Sequence, residues 1–153
     1  MIAKSTLETA MAELSPILEE VLAAGGSVEL TVSGNSMFPM LLHRKSKVKL
    51  TPADQLRRGD IPLYRRDSGA YVLHRIIGLR DGCYVCCGDN QWRPEPGIRP
   101  DQVLAVVSHF ARRERWVSVN ALPYALYWRI WLFIRPVRAL WIRGIRWLRR
   151  KLG

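Results

Sequence analysis

Between Ser27 and Val119 the sequence never holds one pattern long enough to build a long helix. The runs SVELTV, KVKLT, IPLYRR, YVLHRIIG, CYVCC, QVLAVVSHF and RWVSV are short and rich in β-branched and aromatic residues. TPADQLRRGD, RDSGA, LRDG and GDNQWRPEPGIRPD separate them, each rich in turn formers. Crossover helices have no room between strands this closely punctuated. The pattern therefore predicts a mainly β, antiparallel domain over residues 27–119, not βαβ units. Pro62 interrupts IPLYRR, and because proline has no N–H for a ladder it predicts an edge strand there.

The two flanks read as helical. In residues 1–26, Ser5-Thr6-Leu7-Glu8 has the form of a capping box, and Leu7, Met11, Leu14, Leu18, Val21 and Leu22 follow at helical spacing. Pro16 should kink this amphipathic helix, and Gly25-Gly26 should end it. Glu8, Glu13, Glu19 and Glu20 do not fit a secretory signal, which predicts a chain that stays on the cytoplasmic side.

The net charge of +11 is unevenly spread. Residues 1–119 carry sixteen basic and thirteen acidic side chains; residues 120–153 carry eight basic and no acidic ones. Arg129, Arg135, Arg138 and Arg143 interrupt this tail before it reaches the roughly 20 apolar residues that span a bilayer. Pro136 can sit in the first turn of a second tail helix. From there Val137, Leu140, Trp141, Ile145, Trp147 and Leu148 share one arc, and Arg138, Arg143, Arg146, Arg149 and Arg150 the other. Ile142 is the exception. Arginines alternating with large apolar side chains suit a helix lying in a membrane interface, so the tail predicts peripheral association with a membrane surface on the cytoplasmic face. Two other readings are a basic helix docked on its own domain or a partner, and a shallow hairpin dipping residues 124–134 into the bilayer. The same alternation argues against nucleic acid, which would favour polar residues between the arginines.

Ser36 is the candidate nucleophile, set in VSGNSMFPM. Gly34 permits backbone conformations that a Cβ forbids, Pro39 stiffens the exit, and the turn can present Ser36 and its amide together. A serine attacks a carbonyl only when a base takes its proton and N–H donors receive the oxyanion. His74, within YVLHRIIG, is the candidate base, since a mid-strand histidine beside isoleucines is a poor choice for solubility. Such a base predicts activity that falls with pH between about 8 and 5. His43 reads as solvated and His109 as a strand-end residue. Asp60 or Asp89 could orient the imidazole. Cys83, Cys86 and Cys87 crowd into CYVCC, but a second ligand pair at zinc spacing is missing. They read as small apolar strand residues, and no metal or cofactor is expected.

In order, SGNSMFP, RRGDIPLY, LHRIIG and CGDN resemble the motifs of the type I signal peptidases, within the signal peptidase/LexA-like serine peptidase superfamily. The resemblance covers residues 27–119. In that family the serine before methionine is the nucleophile, which here is Ser36. Typical bacterial members place lysine in the strand motif, while the archaeal and endoplasmic-reticulum type has histidine, matching His74. The resemblance implies that Asp89 supports the base, that Asp60 is structural, and that the substrate carries small residues before the cut. Many members have an N-terminal transmembrane anchor, whereas residues 1–26 here read as a soluble helix. For the carboxylate that usually follows the Gly-Asp-Asn box, Glu95 is the nearest candidate.

The function so implied is a serine endopeptidase that removes a leader or signal segment from a peptide or preprotein through an acyl-enzyme. It could equally mature a small ribosomally made peptide on the cytoplasmic face. Self-cleavage of the LexA type fits less well, because residues 1–26 are too short for a DNA-binding domain. A catalytically inactive membrane-binding adaptor on the same fold and a basic nucleic-acid-binding module are the non-enzymatic alternatives.

Overall fold

The computed structural model describes residues 16–112 and 114–152, with side chains as far as Val137. Helix α1, followed here over 16–23, leads into β1 (Val28–Thr31), β2 (Ser46–Thr51), β3 (Pro62–Arg65), β4 (Tyr71–Leu73), β5 (Arg75–Arg80), β6 (Cys83–Cys87), β7 (Glu95–Ile98), β8 (Val103–Arg112), β9 (Arg115–Ser118) and the long helix α2 (Leu122–Leu152). A short 3₁₀ turn, Pro100–Gln102, precedes β8. Among the described residues every strand pairing is antiparallel, and the chain is mainly β as the short, closely punctuated runs predict.

The strands form two sheets. In the larger the order is β1-β2-β8-β3-β4, with β9 pairing β8 beside β3; the smaller is β5-β6-β7. Strand β8 is the spine of the larger sheet. Its first residues pair with β3, its last with β9, and its opposite edge with β2. Pro62 is not on an edge, because β3 lies between β8 and β4. It is tolerated as the first residue of its strand, where a missing N–H interrupts the ladder least.

YVLHRIIG is not one strand. Residues Tyr71 to Leu73 belong to the larger sheet and Arg75 to Arg80 to the smaller, and His74 is the joint between them. EPGI, read as loop because of Pro96 and Gly97, pairs with β6 as an edge strand. The tail is a single helix that continues through Pro136.

The main core packs Leu18 and Leu22 of α1, Met37, Met40 and Leu41 of the segment before β2, Val48 and Leu50 of β2, and Tyr124 of α2. The helix end expected at Gly25-Gly26 is present, with the Gly26 N–H donating to the Val21 carbonyl at 2.9 Å. The capping box at Ser5 and the apolar positions Leu7, Met11 and Leu14 lie outside the described residues. A second, smaller cluster centres on Tyr64, Ile76, Cys86 and Ile98 between the sheets. Cys86 is buried in this cluster and Cys87 is buried beside it in β6, and burial pushes the Cys86 thiol up to about 12.

Candidate active site

Ser36 sits on a loop whose neighbours are anchored and whose own face is half open. Met37 and Met40, following it, are buried in the main core. Ahead of it Gly34 has φ +97, a conformation that side chains rarely adopt, and its N–H donates to His43 Nδ1 at 2.8 Å. His43 thus helps hold the turn; it is not simply solvated. The Ser36 carbonyl accepts from the Asn90 N–H at 2.8 Å, and Asn90 Nδ2 donates to the Asn35 carbonyl at 3.2 Å. Among the described residues the Ser36 N–H has no acceptor, so it remains an available donor.

The Gly-Asp-Asn turn presses directly on this mount. A Cβ at Gly88 would lie 2.5 Å from the Ser36 carbonyl oxygen and 3.1 Å from Ser36 Cβ. Only glycine allows the two backbones to come so close. The β5–β6 ladder ends with Arg75 paired to Cys87, so His74 and Gly88 are the residues next beyond that last pair. The Asp89 carboxylate acts electrostatically on the His74 imidazole, which puts the histidine near the Gly-Asp-Asn turn that presses on Ser36. Ser36 Oγ and His74 share no hydrogen bond in this structure, and catalytic contacts of this type commonly close only around substrate.

His74 is 3% exposed, and its Nδ1 edge faces a built network. Tyr64 Oη lies 3.2 Å from Nδ1, and the Tyr64 hydroxyl donates to Glu95 Oε2 at 2.8 Å. Glu95 Oε2 itself stands 3.7 Å from Nδ1. Arg66 grips the same carboxylate with Nε and Nη2, each at 2.6 Å. Burial pushes the Glu95 carboxyl up, but the hydrogen bonds from Arg66 and Tyr64 outweigh it and leave the group below its ordinary value. Because the phenol proton is committed to a carboxylate, the Tyr64 oxygen is left to accept from Nδ1–H. That assigns the tautomer with the Nε2 lone pair free, the form a general base requires.

Burial pushes the His74 imidazole down to about 4; Glu95 opposes this but does not reverse it. The protonation of His74 expected between pH 8 and 5 therefore moves below that window. Neutral His74 persists through mildly acidic pH.

Asp89, expected to support the base, adds its charge in favour of the protonated His74 imidazole and is itself held by Arg75. Its carboxylate forms a two-point pair with Arg75, Nε to Oδ1 at 2.8 Å and Nη2 to Oδ2 at 2.7 Å, with both side chains buried. The carboxylate within ion-pair reach of His74 Nδ1 is that of Glu95. Arg75 also donates to the Gly59 carbonyl at 3.0 Å and to the Tyr124 hydroxyl at 2.7 Å. One guanidinium thus ties the Gly-Asp-Asn turn to the Gly59-Asp60 turn and to α2. Asp60 has the structural place expected of it, its Oδ2 accepting from the Arg57 N–H at 2.8 Å and its carbonyl from Ile76. His109 lies within β8, paired with Lys49 and Ser118.

Tyr64 and Arg66 were not singled out by sequence reasoning, although one signal pointed to Tyr64. In a β3–β4 hairpin Tyr64 stands opposite Val72, so His74 is its diagonal neighbour on the same face. A cavity of about 300 Å³ lies between the Arg57–Ile61 turn and α2, lined by neither Ser36 nor His74. Among the described residues no group of three or more His, Cys, Asp or Glu is placed to hold a metal ion. Comparison of the chain with protein-family models and with curated proteins gave no match.

Proposed function

We propose that this chain is a serine endopeptidase of the signal-peptidase/LexA-like type, which cuts a leader or signal segment from a peptide or preprotein. The observation that carries the reading is the Gly-Asp-Asn turn: the Ser36 mount rests on Gly88, and His74 directly precedes the Arg75–Cys87 pair that leads into the same turn. Three segments far apart in sequence converge there, and such convergence is what nucleophile and base chemistry needs.

In the proposed reaction His74 Nε2 takes the proton from Ser36 Oγ as the oxygen attacks the substrate carbonyl. The Ser36 N–H donates to the oxyanion that forms. The tetrahedral intermediate collapses, the C–N bond breaks, and the imidazolium returns its proton to the leaving amine. A water molecule, deprotonated by the same nitrogen, then hydrolyses the acyl-serine and regenerates the hydroxyl. Tyr64 and Glu95 hold the imidazole and stabilise its charged form, while Asp89 and Arg75 hold the turn beneath Ser36.

The test is a comparison of the peptides in cells carrying the wild-type chain and its Ser36→Ala variant. A precursor should accumulate in the variant, with small residues before the site cut in wild type. Identical peptide profiles in the two strains would leave the inactive adaptor as the better account.

A further inference from the structure

Helix α2 carries its apolar side outward. Leu122, Leu126, Ile130, Phe133 and Val137 are respectively 82%, 58%, 50%, 84% and 66% exposed. Their spacing puts them on one stripe, an arc of about 80° running roughly 22 Å along the helix. The opposite side meets the domain with polar-tipped residues. The Tyr124 hydroxyl is bound by Arg75, Trp131 Nε1 donates to the Asp89 carbonyl at 3.0 Å, and Arg135 Nη2 donates to the Trp92 carbonyl at 3.1 Å.

A helix that serves only to cover its own domain buries its most apolar face. This one packs the aromatic side chains of Tyr124, Tyr127 and Trp128 on the core and leaves its aliphatic stripe outward. The expected hairpin of residues 124–134 dipping into a bilayer also fails, because Tyr124 is buried in the main core and α2 does not turn back. Continued at the same spacing along the one helix, the stripe's arc takes in positions 140, 144 and 148, which are Leu, Gly and Leu. Positions 143, 146, 149 and 150, all arginine, fall on the rest of the circumference. Lys151, near the end, is the one basic residue that falls on the stripe's arc.

We infer that α2 lies flat on an anionic lipid surface, with the Leu122-to-Val137 stripe as the membrane-facing side. Charge complementarity selects the occupant: residues 120–153 bring eight basic side chains and no acidic one. No described helix is long and apolar enough to cross a membrane, so the helix rests in the interface. The geometry has a consequence for the candidate site. Trp131 and Arg135 hold the Asp89 and Trp92 carbonyls on the face away from the stripe, so the Gly-Asp-Asn turn rides about one helix diameter, about 10–12 Å, above the lipid. The lipid contact itself does not depend on the peptidase reading.

The experiment is flotation of the full chain with vesicles of phosphatidylglycerol and phosphatidylcholine, against vesicles of phosphatidylcholine alone. Wild type should float with the anionic vesicles and bind the neutral ones far more weakly. Phe133→Glu and Leu126→Glu, at exposed positions, should each bind about tenfold weaker or worse. Leu79→Glu, a comparably exposed leucine on β5, should bind as wild type does. Leu126→Glu tests whether the stripe works in the half of α2 that is docked on the domain. The inference is overturned if wild type stays out of the anionic fraction or if both stripe variants float like wild type. It is equally overturned if sedimentation shows a dimer that Phe133→Glu dissociates without any vesicle binding, because a second copy then covers the face.

Discussion

Replacing Gly88 by alanine adds one methyl group where the Gly-Asp-Asn turn meets the Ser36 mount. That carbon would lie 2.5 Å from the Ser36 carbonyl oxygen, against 3.4 Å for ordinary contact, so the two segments must part by about 0.9 Å. The obstacle is backbone, held by the Asn90 N–H at 2.8 Å, and cannot swing aside like a side-chain tip. Overpacking of this kind costs about 1–3 kcal/mol of stability. A shift near 1 Å in a reacting group costs on the order of 100-fold in rate. The variant should therefore stay folded and lose most of its chemistry. The assay is the rate at which a fluorophosphonate probe labels Ser36, read beside thermal unfolding. Gly78→Ala is the matched control, since a Cβ there meets open space. Labelling should slow about 100-fold in Gly88→Ala and stay unchanged in Gly78→Ala. A folded Gly88→Ala that labels at the wild-type rate would refute the seating of Ser36 on this turn.

The buried imidazole gives two pH predictions. With His74 pushed down to about 4, kcat/KM should hold from neutrality down through pH 5 and fall near pH 4; an acid limb at the ordinary histidine value of about 6.5 would contradict the buried base. Stability should follow the same group: the unfolded imidazole takes a proton near 6.5 and the folded one only near 4, so the stabilisation present above 6.5 is lost as pH falls to 4, about 3 kcal/mol in all. Urea unfolding of wild type against His74→Gln measures this, and parallel curves across that window would show that the group does not contribute. Glu95→Gln and Tyr64→Phe should each lower kcat by about 10²-fold or more while leaving KM nearly unchanged, because they release the tautomer and not the substrate. Pre-steady-state labelling with the same probe separates that outcome from a binding defect. Asp89→Asn leaves the Arg75 charge buried without its carboxylate and should cost about 3–5 kcal/mol in denaturant unfolding; a loss below 1 kcal/mol would show that the pair does not brace the turn.

Most of the strands were legible because KVKLT alternates as a half-buried antiparallel strand must, and QVLAVVSHF is a short β-branched apolar run of the kind an interior strand needs. What alternation cannot reveal is a change of sheet. YVLHRIIG keeps a strand-like composition while the chain passes at His74 from one sheet to the other, so its two halves read as one. The strand at Glu95 to Ile98 was hidden by Pro96 and Gly97, which signal turns in sequence but are tolerated on an edge. Pro136 likewise suggested a helix boundary, yet α2 runs on through it.

Of the candidate site, Ser36 and His74 were named from residue type and order, and Gly34 from the demands of the turn, where its φ is +97. Asp89 was named as a support for the base, and its charge does act on His74, but its pairing with Arg75 was not foreseen. A sequence shows that an aspartate follows Gly88, but not that Arg75, buried beside it, claims both oxygens. Glu95 was noticed and not preferred, since its reach to His74 depends on β7, the strand that sequence did not show. Tyr64 depends on a diagonal in a hairpin register. The outward stripe on α2 was invisible for a related reason: an amphipathic pattern gives the two faces of a helix, not which of them the domain takes.

The most direct measurement is mass-spectrometric mapping of the full chain after reaction with a fluorophosphonate. The account predicts one covalent adduct, on Ser36, absent from Ser36→Ala and reduced to background in His74→Gln. An adduct on another residue, or on Ser36 at an undiminished rate in His74→Gln, would contradict it.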